Sequence, residues 1–275
     1  MTLRPEFLAI VGPTGTGKSS LALDLVELLG KKGLVAEIVN ADSMQFYKGM
    51  DIGTAKLSRP ERRGIEHHLL DWLEVTQEST AANYQLIARA KIADLLARGI
   101  LPIVVGGSML YVASLINTFE FPGRDEQVRA ELEAELLKIG PQAMHEKLRA
   151  LDELAASRIE PNNGRRIVRA LEIVLVTGEP FAASLPDEFE SYKANLQIGL
   201  NSERSHLVAR LAQRVELMWE KGLVNEVSGL VEQGLRESKT ARQAIGYAQA
   251  LAQFDGEATE QEAIAETTML TQRYA

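Results

Sequence analysis

Hydrophobic positions along this chain follow two periods: strand-like runs alternate with helical stripes at first, and helical stripes take over later. Residues 8–11 (LAIV) are a short apolar run feeding a glycine-rich turn. Residues 18–29 then repeat apolar positions at helical spacing until Gly30 closes the pattern. Residues 36–39 predict a second strand leading to Asp42, and residues 67–73 a weaker third. A long amphipathic helix is expected over residues 80–97, capped by Ser79 or Thr80 and stopped by Gly99. The run LPIVVGG at residues 101–107 reads as a buried strand entering paired glycines, followed by a helix from Ser108 to about Asn117. Such alternation predicts a parallel sheet covered on both faces.

The alternation stops near Phe119. From there to Lys193 helical patterns dominate, at residues 125–139, 141–151 and 163–177, punctuated by FPG, IGP, EPNNG and TGEP. Residues 195–200 (NLQIGL) return to strand character. Helices are expected over residues 203–221, 223–233, 240–254 and from Thr259 onward, the last opened by a TEQE capping box. The expected organisation is a core of residues 1–118 and 195–275, interrupted by a helical insertion of residues 119–194. The last helical pattern ends at TQRYA without Gly or Pro, which suggests a natural chain that continues.

Composition narrows the class. With 45% hydrophobic and 25% charged residues, the 275-residue chain is globular and long enough for one large core with a smaller insert. It has no cysteine, which excludes disulfides and thiolate metal sites. No apolar run approaches a bilayer span and a strand begins too early for a signal peptide, so a cytoplasmic protein with no membrane partner is expected. A net charge of −8 speaks against indiscriminate nucleic-acid binding. Local basic grooves remain open at RIEPNNGRRIVR (residues 158–169) and KTARQ (residues 239–243), a solvated helix face being the plainer account of both.

Residues 12–19 (GPTGTGKS) match G-x-x-x-x-G-K-[ST] in full, between a strand and a helix. Gly12, Pro13, Thr14, Gly15, Thr16 and Gly17 form a loop able to wrap a phosphate, and its N–H groups join the helix N-terminus in holding negative charge. Lys18 is expected to bridge phosphate oxygens and Ser19 to hold Mg²⁺, the expected cofactor. The fold class is therefore α/β: a P-loop NTPase-like parallel sheet flanked by helices, with a helical insertion domain. There is no guanine-reading N-K-x-D, which disfavours a GTPase. The strand that ends in an acid is EIVNAD, whereas IVVGG ends in glycines, and Asp71 reads as a structural acid. Asp42 is either a turn-capping acid or, as in small-molecule P-loop kinases, the group facing whatever attacks the bound phosphate compound.

Residues 42–56 (DSMQFYKGMDIGTAK), taken with GPTGTGKS, VGGSMLY (residues 105–111), RRIVRALEI (residues 165–173) and QAIGYAQ (residues 243–249), closely resemble the tRNA dimethylallyltransferase family, also called tRNA isopentenyltransferases. The matches occur in the family's order and span nearly the whole chain. The resemblance implies transfer of a dimethylallyl group from dimethylallyl diphosphate to N6 of the adenosine 3′-adjacent to the anticodon, in tRNAs reading codons that begin with U. Its partners would be that diphosphate and the tRNA anticodon stem-loop. The nucleotide-binding loop would then hold a leaving diphosphate, with Mg²⁺, rather than ATP.

The same resemblance assigns roles. Asp42 is the general base. Ser43, Met44 and Gln45 line the pocket of an extruded adenine. Ser108, where the family usually has Thr, stands near the diphosphate or the amine, and Arg129 pairs with diphosphate oxygens. Contacts to tRNA fall on Arg165, Arg166, Ile167, Val168 and Arg169, and on Gln243, Ala244, Ile245, Gly246, Tyr247 and Ala248. Tyr47 and Tyr111 read as packing residues, Gly106 and Gly107 as sites of close approach, and His67 and His68 as structural. A monomer is expected. The rivals are an adenylate isopentenyltransferase using a free nucleotide, and a kinase using Lys18 for ATP and Asp42 for an acceptor hydroxyl. The arginine cluster favours tRNA, since a mononucleotide gives such an arm nothing to hold.

Overall fold

The computed structural model describes residues 5–118, 121, 123–181 and 190–275. Residues 1–4, Phe119, Glu120 and Pro122 at the expected start of the insertion, and residues 182–189 near its expected end lie outside the described residues. The chain forms two compact units, one of Met1–Ile116 with Ser191–Ala275 and one of Asn117–Glu190.

The first unit is built on five parallel strands: β1 (Phe7–Val11), β2 (Ala36–Asn40), β3 (His67–His68), β4 (Leu101–Gly106) and β5 (Asn195–Gly199). Their order across the sheet is β3-β2-β4-β1-β5. The two-residue period of the strands sends Phe7, Ala9, Val39 and Val104 to one face and Leu8, Ile10, Ile38 and Ile103 to the other. Helix α1 (Lys18–Gly30) buries Ala22, Leu23 and Val26 on the second face. On the first face, α2 (Ala81–Ala97) and α3 (Met109–Ile116) supply Tyr84, Ile92, Leu95 and Leu115. Thr80 caps α2 by accepting the Asn83 N–H at 3.1 Å. The third strand is shorter than its apolar run suggests. Leu69 and Asp71 take φ of 61° and 55°, a left-handed backbone that no strand continues through.

The second unit is helical. Helix α4 (Glu126–Leu151) breaks at Gly140, whose φ of 80° lies outside helical values just before Pro141. A short α5 (Glu153–Arg158), which the sequence pattern does not announce, starts where Asp152 accepts the Ala155 N–H at 2.8 Å. Helix α6 (Gly164–Thr177) packs Ile167, Val168 and Leu171 against Leu132, Met144 and Leu148 of α4.

Back in the first unit come α7 (Arg204–Glu220), α8 (Leu223–Glu232), α9 (Tyr247–Phe254) and α10 (Glu260–Tyr274). The TEQE box caps α10 as expected. The single helix expected over residues 240–254 is instead a 3-10 turn at Ala241–Gln243 followed by α9, because Gly246 takes a φ of 93° between them.

Candidate functional site

Strands β1, β4 and β2 lie side by side, so the segments leaving their C-terminal ends converge where open parallel sheets bind ligands. The segment after β1 is the P-loop. Gly15 and Gly17 have φ of 79° and 91°, which glycine adopts without strain. Thr16 Oγ1 and Lys18 Nζ both donate to the Pro13 carbonyl, at 2.8 and 2.7 Å, curling the loop inward. The glycines at the end of β4 make room for both neighbours. A Cβ on Gly106 would lie 2.4 Å from the Ala41 carbonyl, and one on Gly107 would lie 2.9 Å from the Gly12 carbonyl oxygen.

After β2, the buried Asn40 amide fixes the backbone of Asp42. Asp42 Oδ1 accepts the Met44 N–H at 3.1 Å and so caps a 3-10 turn at Ser43–Phe46. The turn-capping reading of Asp42 is therefore correct, and it does not exclude the other, because Asp42 also lines the cavity. Ser108 braces the same turn. Its hydroxyl accepts the Ser43 N–H at 3.1 Å and lies 3.2 Å from the Ser43 hydroxyl. Gln45 lines the cavity and donates from Nε2 to the Thr54 carbonyl at 3.1 Å, whereas Met44 packs against the main core.

The cavity measures about 420 Å³, within the range of roughly 300–1,000 Å³ typical of small-molecule sites. Thr14, Lys18, Ser19 and Asp42 give it a polar part, and Ile38, Leu57, Leu70 and Val105 an apolar one. That combination suits an anionic head joined to a short hydrocarbon. Burial pushes the Asp42 carboxyl up from its usual pKa, against the pull of the Met44 N–H, Lys18 and Arg214. Burial lowers Lys18, with Asp42 opposing and Arg214 reinforcing the shift. The buried Lys18 ammonium would thus gain from an incoming anion.

Two arginines of α7 complete the cradle, and the sequence reading passes over them. Arg214 donates from Nη1 to Thr14 Oγ1 at 3.0 Å, and Arg210 from Nη1 to the Gly15 carbonyl at 3.1 Å. Burial lowers Arg214, with Asp42 opposing. A signal exists in the sequence: Leu207, Leu211 and Met218 form the buried stripe of α7, and Arg214 occupies a position on that stripe. His67 also lines the cavity, with Nδ1 2.9 Å from the Ile65 carbonyl and burial lowering its pKa, so it stands at the site rather than in a purely structural place. His68 is structural, its Nε2 lying 2.6 Å from Glu37 Oε2. Asp71 is too, accepting from Lys56 Nζ at 2.5 Å.

The remaining candidates lie elsewhere. Arg129 belongs to the helical unit, where Nε meets Glu133 Oε1 at 2.8 Å and Nη1 meets the buried Glu172 at 3.3 Å. Arg165 and Arg166 are exposed, whereas Ile167 and Val168 are core and turn their side chains away from any partner. Arg169 also pairs with Glu172, at 2.9 Å. Gln243 is exposed and Ala244, Ile245 and Ala248 are partly so, but Gly246 and Tyr247 are buried.

Among the described residues no group of three or more His, Asp and Glu is arranged to hold a metal. Ser19 lines the cavity. Mg²⁺ fits such a place, since it characteristically takes few protein ligands and fills its shell with water and phosphate oxygens. No helix among the described residues is long and apolar enough to cross a membrane.

The chain is similar to known proteins along nearly its whole length. The family model described as IPP transferase matches residues 45–275. The tRNA dimethylallyltransferase of Thermobifida fusca (strain YX) is 55% identical over 268 residues, covering 98% of this chain and 84% of the relative. That of Kineococcus radiotolerans is 52% identical over 269 residues, with the same coverage. Among solved structures, the full-length tRNA isopentenylpyrophosphate transferase of Bacillus halodurans is 38% identical with a TM-score of 0.67, covering 98% of this chain and 84% of its own. A eukaryotic dimethylallyltransferase captured acting on tRNA is 28% identical with a TM-score of 0.83, covering 98% of this chain and 67% of its own.

Proposed function

The chain belongs to the IPP transferase family, and on that premise we propose that it moves a dimethylallyl group from dimethylallyl diphosphate to N6 of the adenosine 3′-adjacent to the anticodon, in tRNAs reading codons that begin with U. The products are N6-(dimethylallyl)adenosine and diphosphate. The single observation that carries this reading is that Asp42, its pKa raised by burial, shares one cavity with the P-loop and its cations.

The chemistry follows from that pairing. An adenine exocyclic amine is a weak nucleophile, because its lone pair is delocalised into the ring. It needs an electrophile that readily develops cation character, and a base for its proton. The allylic C1–O bond to diphosphate supplies the first. As that bond breaks, charge gathers on the diphosphate, where the P-loop N–H groups, Lys18 and Arg214 stabilise it. N6 bonds to C1, and the N6 proton passes to the Asp42 carboxylate, which its raised pKa makes a better base than an ordinary aspartate. Mg²⁺ held at Ser19 would neutralise part of the diphosphate charge. Gln45 and the Ser43 turn that Ser108 braces would meet the extruded adenine.

Transfer to tRNA is favoured over transfer to free adenylate, or phosphoryl transfer, by the relatives' own substrate and by the exposed Arg165 and Arg166 of α6. Gln243–Ala248 offers a second contact through its exposed members. The protein works in the cytoplasm as a monomer. Labelled dimethylallyl diphosphate incubated with unmodified tRNA or with AMP tests the reading. Label in tRNA adenosine supports it; label in AMP alone, or ATP hydrolysis without prenylation, overturns it.

A further inference from the structure

Two stretches of the sequence, MDIGTAK and QAIGY, meet at one carboxylate. Glu226 of α8 accepts the Asp51 N–H at 3.1 Å and the Ile52 N–H at 2.8 Å, and takes the Tyr247 hydroxyl at 2.5 Å. Tyr247 is fully buried, and its ring lies so close to Gly53 that a Cβ there would come within 2.4 Å of it. Burial, and then the adjacent Glu226, push the phenol far above its usual pKa, so it remains a donor.

The loop held in this way is part of the cavity. Thr54 and Ala55 line it, and the Thr54 carbonyl holds Gln45 Nε2. Lys56 Nζ closes the far end on the Tyr47 carbonyl at 2.9 Å and on Asp51 Oδ1 at 2.7 Å. We infer that Glu226 is a positioning residue for the reaction: it fixes residues 51–55 and, through Thr54, sets Gln45 and the cavity wall beside Asp42. The inference rests on the tRNA-prenylation reading. Its chemistry requires a carboxylate, because three donors converge on two oxygens that only accept. Glutamine would turn an NH₂ group toward one of those donors. None of these bonds involves the P-loop, so the clasp itself does not hold the diphosphate cradle.

The test compares wild type, Glu226→Gln, Tyr247→Phe and the double variant. Titration with inorganic pyrophosphate and Mg²⁺ counts competent P-loops. Single-turnover transfer from dimethylallyl diphosphate to tRNA is then expressed per pyrophosphate-binding site. Pyrophosphate affinity is expected to stay unchanged while the rate per site falls about 10- to 100-fold in Glu226→Gln. Tyr247→Phe, which keeps the ring on Gly53, is expected to lose less. The double variant is expected to be no slower than Glu226→Gln, because both changes open one clasp. A wild-type rate per binding site, additive losses in the double variant, or pyrophosphate affinity falling in step with rate would each overturn the positioning role. Should Glu226→Gln fail to fold, Tyr247→Phe decides by the same rate per site. Failure of the wild type itself to label tRNA would instead sink the functional reading, and this inference with it.

Discussion

Asn40 grips Asp42 by both ends of its backbone: Oδ1 accepts the Asp42 N–H at 3.0 Å, and Nδ2 donates to the Asp42 carbonyl at 3.1 Å. Asn40 is itself anchored. Its Nδ2 also reaches the Leu69 carbonyl at 3.1 Å, and the Tyr84 hydroxyl donates to its carbonyl at 2.9 Å. A base that must meet one proton depends on such fixing. Asn40→Ala is expected to slow single-turnover transfer about 10- to 100-fold. It should also destabilise the fold by about 1–3 kcal/mol through unsatisfied buried groups. Rapid-quench kinetics and urea unfolding measure the two effects.

Burial makes Asp42 hold its proton to a higher pH than an ordinary aspartate does. The folded state therefore binds that proton more tightly than the unfolded chain. Its contribution to stability is complete below the usual value of 3.8 and is lost as pH rises through the folded value. Above that folded value the ionised carboxylate weighs against the fold. Asp42→Asn is expected to raise the Tm of the ligand-free protein there. The wild-type kcat/KM is expected to rise with pH along an acid limb above the ordinary aspartate range. Calorimetry and a pH–rate profile check both; a lower Tm in the variant would contradict the sign.

Arg214 meets Thr14 with one arm of its guanidinium while its charge faces the cavity. A hydrogen bond to a charged group contributes roughly 1.5–3 kcal/mol, so Arg214→Ala is expected to weaken pyrophosphate binding about 10- to 100-fold. Arg214→Lys keeps the charge but loses the planar fork, and is expected to restore only part of the affinity. Isothermal titration gives both values.

Much of this site is legible in the sequence where its residues are neighbours. The P-loop lies in eight consecutive positions, and Asp42 stands two residues beyond a strand that ends at Asn40. Arg214 is legible only as a charge on an apolar stripe, since what it meets is brought to it by the sheet. Asn40 reads as the last residue of a strand, and only the fold turns its amide back onto Asp42. The third strand is misjudged because the positive φ of Leu69 and Asp71 has no signature in residue type. The helix expected over residues 240–254 is misjudged because a lone glycine, Gly246, sits within a periodic pattern that continues on both sides.

Gly106 tests the close approach of β4 to the Asp42 segment. Its missing side chain would overlap the Ala41 backbone, which has no flexible end to yield. Gly106→Ala is expected to destabilise the protein by about 1–3 kcal/mol. The same displacement should slow transfer more than it weakens pyrophosphate binding. Wild-type stability in urea would show that the two segments part at no cost.

The division of labour between a cradle for the departing diphosphate and a carboxylate for the arriving amine is tested most directly by Asp42→Asn under single-turnover conditions. Labelled dimethylallyl diphosphate and unmodified tRNA report transfer, and inorganic pyrophosphate titration reports the cradle. Pyrophosphate is expected to bind the variant as it binds wild type, while prenyl transfer to the tRNA adenosine falls about 100-fold or more. Transfer at the wild-type rate with Asn at position 42 would contradict the assignment of Asp42 as the base.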